Sequence, residues 1–231
     1  MLALFNIGRL IPSLLPETQV IELYHCADGR SLRCLWLLEE LGRPYTLHIL
    51  PFPPRILAPA YLALNPQGTI PFLVDGTTRM TESAAILEYL TAKAGPTPLR
   101  VEPDEPDFGA WLSWLHFGEV GLTAPQTVVL RYGYFETEDK RQPIVQADFI
   151  QVFLDKLRVV EAALAGRDYL CADRFTTADI SVAYAIKLGF YIGADKLMPR
   201  IVLDYWERLQ QRPAYQNALA AQAGGPNWQA A

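Results

Sequence analysis

Apolar positions change their period along this chain, and each change marks an element. Val20 to Tyr24 is a short apolar run of strand length. Leu32, Leu35, Leu38 and Leu41 then recur at helical spacing, and Gly42 with Pro44 just beyond supplies the stop. Tyr45 to Leu50 reads as a second strand, Pro51 to Pro54 as a rigid loop and Arg55 to Leu64 as a short helix. Asn65-Pro66 and Gln67-Gly68 form a turn. Ile70 to Val74 is a buried strand, with Asp75-Gly76 as its hairpin turn. Thr81 stands where it can cap a helix carrying Ala84, Ile86, Leu87 and Leu90 and running to Lys93.

Strand signals stop there. Phe108 to Leu130, Ala147 to Leu164, Thr177 to Leu188 and Val202 to Gln210 all carry helical periodicity. The order predicts an α+β two-domain protein: an N-terminal thioredoxin-like βαβαββα domain over residues 21–95, then an all-α helical bundle domain over 107–231. Its parallel crossover should be right-handed. Residues 96–106, with Gly95-Pro96-Thr97-Pro98 and Pro103 to Pro106, read as the linker. Residues 1–20 are apolar but broken by Arg9, Pro12 and Pro16, too interrupted to span a bilayer and without a clear cleavage site. They are expected to lie outside the fold.

Composition narrows the function. At 231 residues, 51% hydrophobic and 19% charged, the chain can bury a substantial core. A net charge of −5 with no clustered Lys and Arg argues against nucleic acid as a partner. Cys26, Cys34 and Cys171 show no metal-ligand spacing, so no metal is expected. Their odd, sparse number suits a reducing cytoplasm, and no membrane partner is implied.

Candidate chemistry gathers between Asn65 and Leu90. A proline cannot donate to a strand ladder, so Pro71 belongs at a strand's start or carries a cis bond. Either way the backbone N–H and C=O of Ile70 are left for an outside partner. Glu82 and Ser83 fall in the first turn of the next helix, where backbone N–H groups favour a carboxylate. Together these make a receptor for an amino-acid-like ligand. The run Asn65-Pro66-Gln67-Gly68-Thr69-Ile70-Pro71-Phe72-Leu73, followed by Asp75-Gly76 and Glu82-Ser83, resembles the glutathione transferase family. The resemblance extends to the capping box Thr176-Thr177-Ala178-Asp179 and to Trp206-Glu207-Arg208-Leu209 with Arg212-Pro213-Ala214-Tyr215, and covers about residues 21–220.

The resemblance implies that Ile70 and Pro71 meet the cysteinyl backbone of glutathione and that Glu82 and Ser83 hold its γ-glutamyl end. Where many members carry a basic residue before the (V/I)-P pair, this chain has Thr69, so Arg55 or Arg30 would supply the charge for the glycyl carboxylate. A thiol with a pKa of about 8.5 needs a donor at the start of the first helix. Ser31, Cys26 and Tyr24 are the candidates, in that order, while Gly29 takes the place where serine-type members keep their serine. Cys26 would instead give a glutathione-dependent disulfide reductase. An apolar electrophile is expected against Trp111, Trp114, Leu115, His116 and Phe117, with Tyr132 and Phe135 following. The family also implies a homodimer, and its fold serves elsewhere as a non-catalytic scaffold. The leading expectation is a cytoplasmic transferase joining glutathione to a small apolar electrophile.

Overall fold

The computed structural model describes residues 20–225. The expected extension over 1–20 falls outside the described residues except for Val20. Strand β1 (Ile21–His25), helix α1 (Leu32–Leu41) and strand β2 (Tyr45–Ile49) form a parallel βαβ unit. A single turn, α2 (Pro54–Leu57), and a 3-10 turn (Pro59–Ala63) replace the continuous short helix expected there. Strands β3 (Phe72–Asp75) and β4 (Thr78–Met80) complete an antiparallel hairpin, giving the strand order β2-β1-β3-β4. Helix α3 (Ser83–Ala94) comes next. Thr81 does not cap it: the residue before the helix is Glu82, and no side chain caps its first turn.

Alternation along β1 separates two layers. Ile21 and Leu23 face the main core with Leu35, Leu38, Ile86 and Leu87 of α1 and α3. Each such fully buried leucine contributes about 2 kcal/mol of burial. Tyr24 points to the opposite face, in a small cluster with Tyr61, Phe72 and Val74.

Beyond α3 the chain is helical: α4 (Phe108–His116), α5 (Ala124–Leu130), α6 (Pro143–Ala163), α7 (Thr177–Tyr191), α8 (Arg200–Gln210) and α9 (Pro213–Gln222). The segment expected as one helix over Phe108 to Leu130 is interrupted by a π-helical stretch, Phe117–Thr123, and a second, Arg131–Phe135, ends it. Such wide turns re-aim side chains, and they concentrate at functional sites. The first stretch crosses α7 so closely that a Cβ at Gly118 would lie 2.6 Å from the carbonyl carbon of Ser181. The predicted capping box opens α7, with Thr176 accepting from Ala178 N and Asp179 accepting from Thr176 N. No helix among the described residues is long and apolar enough to cross a membrane.

Arg33 holds the two halves together. It is fully buried on α1, and it donates to Ser181 O, Ser83 Oγ, Glu119 Oε2, Gly118 O and Thr123 Oγ1. Its guanidinium also lies 4.4 Å from the centre of the Tyr184 ring.

Candidate functional site

Two adjoining hollows open between the sheet domain and the helices. The smaller, about 230 Å³, is lined by Arg30, Thr69, Ile70, Pro71, Glu82, Ser83 and Glu119. The Ile70–Pro71 bond is cis, and Ile70 stands just before β3, outside its ladder. Glu82 adopts φ 66°, the left-handed region a non-glycine residue enters only under constraint. Ser83 Oγ accepts a hydrogen bond from Arg33 Nη1 at 3.1 Å. With its acceptor side occupied by a cation, the hydroxyl is left to donate its own proton. A carboxylate beside Ser83 would therefore meet a polarised O–H and the N-terminus of the twelve-residue α3, and an ammonium would meet Glu82.

Arg30 and Glu119 form the far wall. Arg30 Nε donates to Glu119 Oε1 at 2.7 Å and Nη2 to Thr127 Oγ1 at 2.6 Å. Burial works to raise the Glu119 carboxyl, but the charges of Arg33 and Arg30 outweigh it and hold the group below the usual glutamate range. The larger hollow, about 720 Å³, shares Arg30, Thr69 and Ile70 and continues along Phe52, Arg55 and Ile56 to Arg131, Tyr134 and Phe135. Phe52 and Phe135 meet across it with ring centres 5.6 Å apart. Arg131 is paired with Glu136 at 3.0 Å, while Arg55 is exposed on the rim.

Comparison with known proteins accords with this geometry. The models for the glutathione S-transferase N-terminal and C-terminal domains match residues 30–93 and 124–213. Glutathione S-transferase 3 of Zea mays is 31% identical over 71% of this chain and 76% of its own length. The chain belongs to the glutathione S-transferase family. A glutathione transferase from Pseudomonas putida, solved with one glutathione disulfide bound per subunit, is 25% identical with a TM-score of 0.75, covering 91% of this chain and 94% of that one. Yeast Ure2p in complex with glutathione shares the fold at 24% identity and a TM-score of 0.77, covering 88% and 95%.

Within this transferase fold, the residues expected to bind glutathione gather, and those expected to activate it do not. Ile70, Pro71, Glu82, Ser83 and Thr69 line the smaller hollow, and Arg55 the larger. Ser31 is completely buried; its Oγ bonds His25 Nδ1 at 2.8 Å and accepts from Cys26 N, so it neither caps α1 nor faces the hollow. Cys26 is buried beneath Pro51 O, and burial pushes its thiol up to about 12, leaving it protonated at neutral pH. Tyr24 stacks on His48 at 4.4 Å on the other face of the sheet, where burial and then Glu22 push its phenol up.

Gly29 faces Ile70: a Cβ added there would come within 2.7 Å of Ile70 Cδ1 and 3.1 Å of Cys26 O.

The expected electrophile wall is also displaced. Trp111 is fully buried and donates to Thr177 Oγ1. Trp114 packs edge-on against Phe117, and His116 is exposed. Tyr132 lies beside Arg131, with its carbonyl accepting from Gln142 N. None of these five lines either hollow. Phe135 of the expected set does line the larger hollow, and Phe52 and Tyr134 join it there, which no sequence period singles out, because a loop and a π-helical end present them. Arg33 carried a readable signal, since it is a lone charge within Leu32-Arg33-Cys34-Leu35-Trp36-Leu37-Leu38.

Proposed function

We propose that this protein binds reduced glutathione in the smaller hollow and transfers it to an apolar electrophile held in the larger one. The observation that carries the reading is the convergence of Ile70, Glu82, Ser83 and Arg30 on one recess. Glu82 takes the γ-glutamyl ammonium, and Ser83 takes its carboxylate. Ile70 offers backbone groups to the cysteinyl residue, and Arg55 stands toward the glycyl end. This brings the thiol to the start of α1, beside Arg30. With Ser31 turned inward, the thiolate is stabilised by that helix N-terminus and by Arg30 in place of a side-chain hydroxyl. The electrophile rests on Phe52, Ile56, Tyr134 and Phe135. Homodimer formation and a cytoplasmic location are carried as parts of the same proposal on the strength of family membership, and sedimentation of the purified protein checks the first.

Calorimetric titration of glutathione into the wild type and into a Glu82→Ala, Ser83→Ala double variant tests the site. Two charge-assisted hydrogen bonds are lost, so affinity should fall by about 100-fold or more. Equal affinity in the two proteins would remove the assignment.

The buried Cys26 gives a second expected result. Cys26→Ser should leave both glutathione affinity and conjugation unchanged within about twofold, because a protonated thiol beneath the loop takes no part. Selective loss of glutathione-dependent disulfide reduction in that variant would return the chemistry to Cys26.

A second reading, binding without conjugation, is favoured by one observation: with glycine at 29 and Ser31 turned inward, neither position offers a hydroxyl to the hollow. Glutathione binding with no turnover across a panel of aryl and alkyl electrophiles would select it.

A further inference from the structure

The loop that presents the thiol end of the site, Cys26 to Ser31, is fastened by the opposite end of the chain. Asp28 sits at φ 58°, a strained conformation for a non-glycine residue, and each of its polar groups is engaged by the helical domain. Its carbonyl accepts from Tyr184 OH at 3.2 Å. Its Oδ1 meets Lys187 Nζ at 3.1 Å and Gln222 Nε2 at 2.9 Å, and its N–H donates to Gln222 Oε1 at 3.1 Å.

Those contacts fix the hydrogens of the whole network. The Asp28 amide can only donate, so the Gln222 atom facing it is the oxygen. His25 Nε2 lies 3.0 Å from that same oxygen and must therefore carry the proton. Nδ1 is then an acceptor, and the Ser31 hydroxyl donates to it at 2.8 Å while accepting from Cys26 N. One carboxamide on the last turn of α9 thus sets the tautomer of a buried histidine, the direction of a buried hydroxyl and the backbone of the loop leading into α1. The start of α9 is itself pinned to α1 by the residue before it, Arg212, bidentate to Glu40, and by Tyr215 against Trp36 at 4.7 Å.

We infer that Gln222 is a positioning residue for the thiol end of the site, holding the Asp28–Ser31 loop, and with it Arg30 and the N-terminus of α1, in register with Ile70. This rests on the glutathione reading above. The γ-glutamyl end is held separately, by α3, so the two ends of the ligand respond differently to the loss of this residue.

Gln222→Met keeps the volume and removes both hydrogen-bonding functions. With glutathione and an electrophile that the wild type accepts, kcat should fall by about tenfold, the scale of a small misplacement of a reacting group. The dissociation constant for glutathione should stay within about threefold, because Glu82 and Ser83 are untouched. The pH profile of conjugation should move to higher pH as the thiolate loses its setting. Gln222→Glu alone opposes two carboxylates and should be worse. Combined with Asp28→Asn it exchanges carboxylate and carboxamide across the contact, leaving acceptors for His25 Nε2–H and the residue-28 amide but setting an amide N–H before Lys187, and should recover part of the kcat lost in Gln222→Glu.

Hydrogen exchange at the amides of residues 28–31 reads the same tether without ligand, and should quicken in Gln222→Met and in Gln222→Glu and slow again in part in the exchanged pair. Unchanged exchange together with unchanged kcat and pH profile would overturn the inference, as would a loss confined to melting temperature. If the wild type binds no glutathione, the binding reading fails, and the exchange measurement still decides whether Gln222 holds the loop.

Discussion

Replacing Arg33 by leucine should cost about 3–5 kcal/mol of stability, the range for stripping one partner from a buried ionic network. Leucine refills part of the space but leaves Glu119 partly buried without the nearer of its two cations, and it takes one donor each from the carbonyls of Gly118 and Ser181, of which Gly118 keeps the Thr123 hydroxyl. For a chain of this length the melting temperature should drop by about 10 °C. Denaturant unfolding of the two proteins gives the free-energy difference directly. Arg33→Lys keeps the charge but cannot reproduce a fork reaching five acceptors, and should recover only part of the loss. The same change reaches the ligand site, because the Ser83 hydroxyl loses the donor that turns its proton outward. Glutathione affinity should therefore weaken in the folded variant. A loss below about 1 kcal/mol would show the network to be incidental.

The second large effect is a pH dependence centred on His25. Burial pushes this imidazole down to about 4, against the Gln222 hydrogen bond and the charge of Asp28, which both work to raise it. In the unfolded chain it titrates near about 6.5. Between those values the unfolded state binds the extra proton, so His25 removes stability as pH falls from about 6.5 to about 4. The difference amounts to about 3 kcal/mol. Asp179 acts in the opposite sense over much of the same window. Burial pushes its carboxyl up to about 6, so it protonates first in the folded state and adds stability as pH falls. Total stability therefore hides the histidine. Comparison with His25→Gln, which has no group to titrate, isolates it. The advantage of wild type over variant should be about 3 kcal/mol larger at pH 7 than at pH 4. An advantage that stays level across that range would mean that His25 is not held neutral by the fold.

The fold was legible in the sequence because local period and punctuation determine it. The strand of Ile21–His25, the leucine spacing of α1 and the stop at Gly42 depend on neighbours within a few residues. The same holds for the capping box at Thr176. That Ile70-Pro71 and Glu82-Ser83 would gather at one hollow was legible for a related reason: they sit at the ends of adjacent elements, so sequence spacing translates into proximity. The thiol end was not. Whether Ser31 turns inward depends on His25 and on Gln222, which lies at the far end of the described chain. Most of the expected aromatic wall lies away from the hollows for the same reason, while Phe135 lines the larger one. Trp111 and Trp114 have helical spacing, but the packing of α4 on α7 buries the first, and the two π-helical stretches rotate the side chains beyond it. Aromatic spacing reports that a helix has a face. It does not report which neighbour will cover that face.

The near-contact between Gly29 and Ile70 has a bearing on which side chains the two positions admit. The atom that a side chain at 29 would strike is Ile70 Cδ1, which valine lacks. Cδ1 is the flexible end of its side chain and can turn aside, whereas the Cys26 carbonyl, 3.1 Å from the same point, is backbone. A side chain at 29 is therefore admitted by a rotamer change at 70 together with a small opening of the turn at Cys26. The two positions are coupled in their tolerance: valine at 70 would lower the cost of a serine at 29 without removing it.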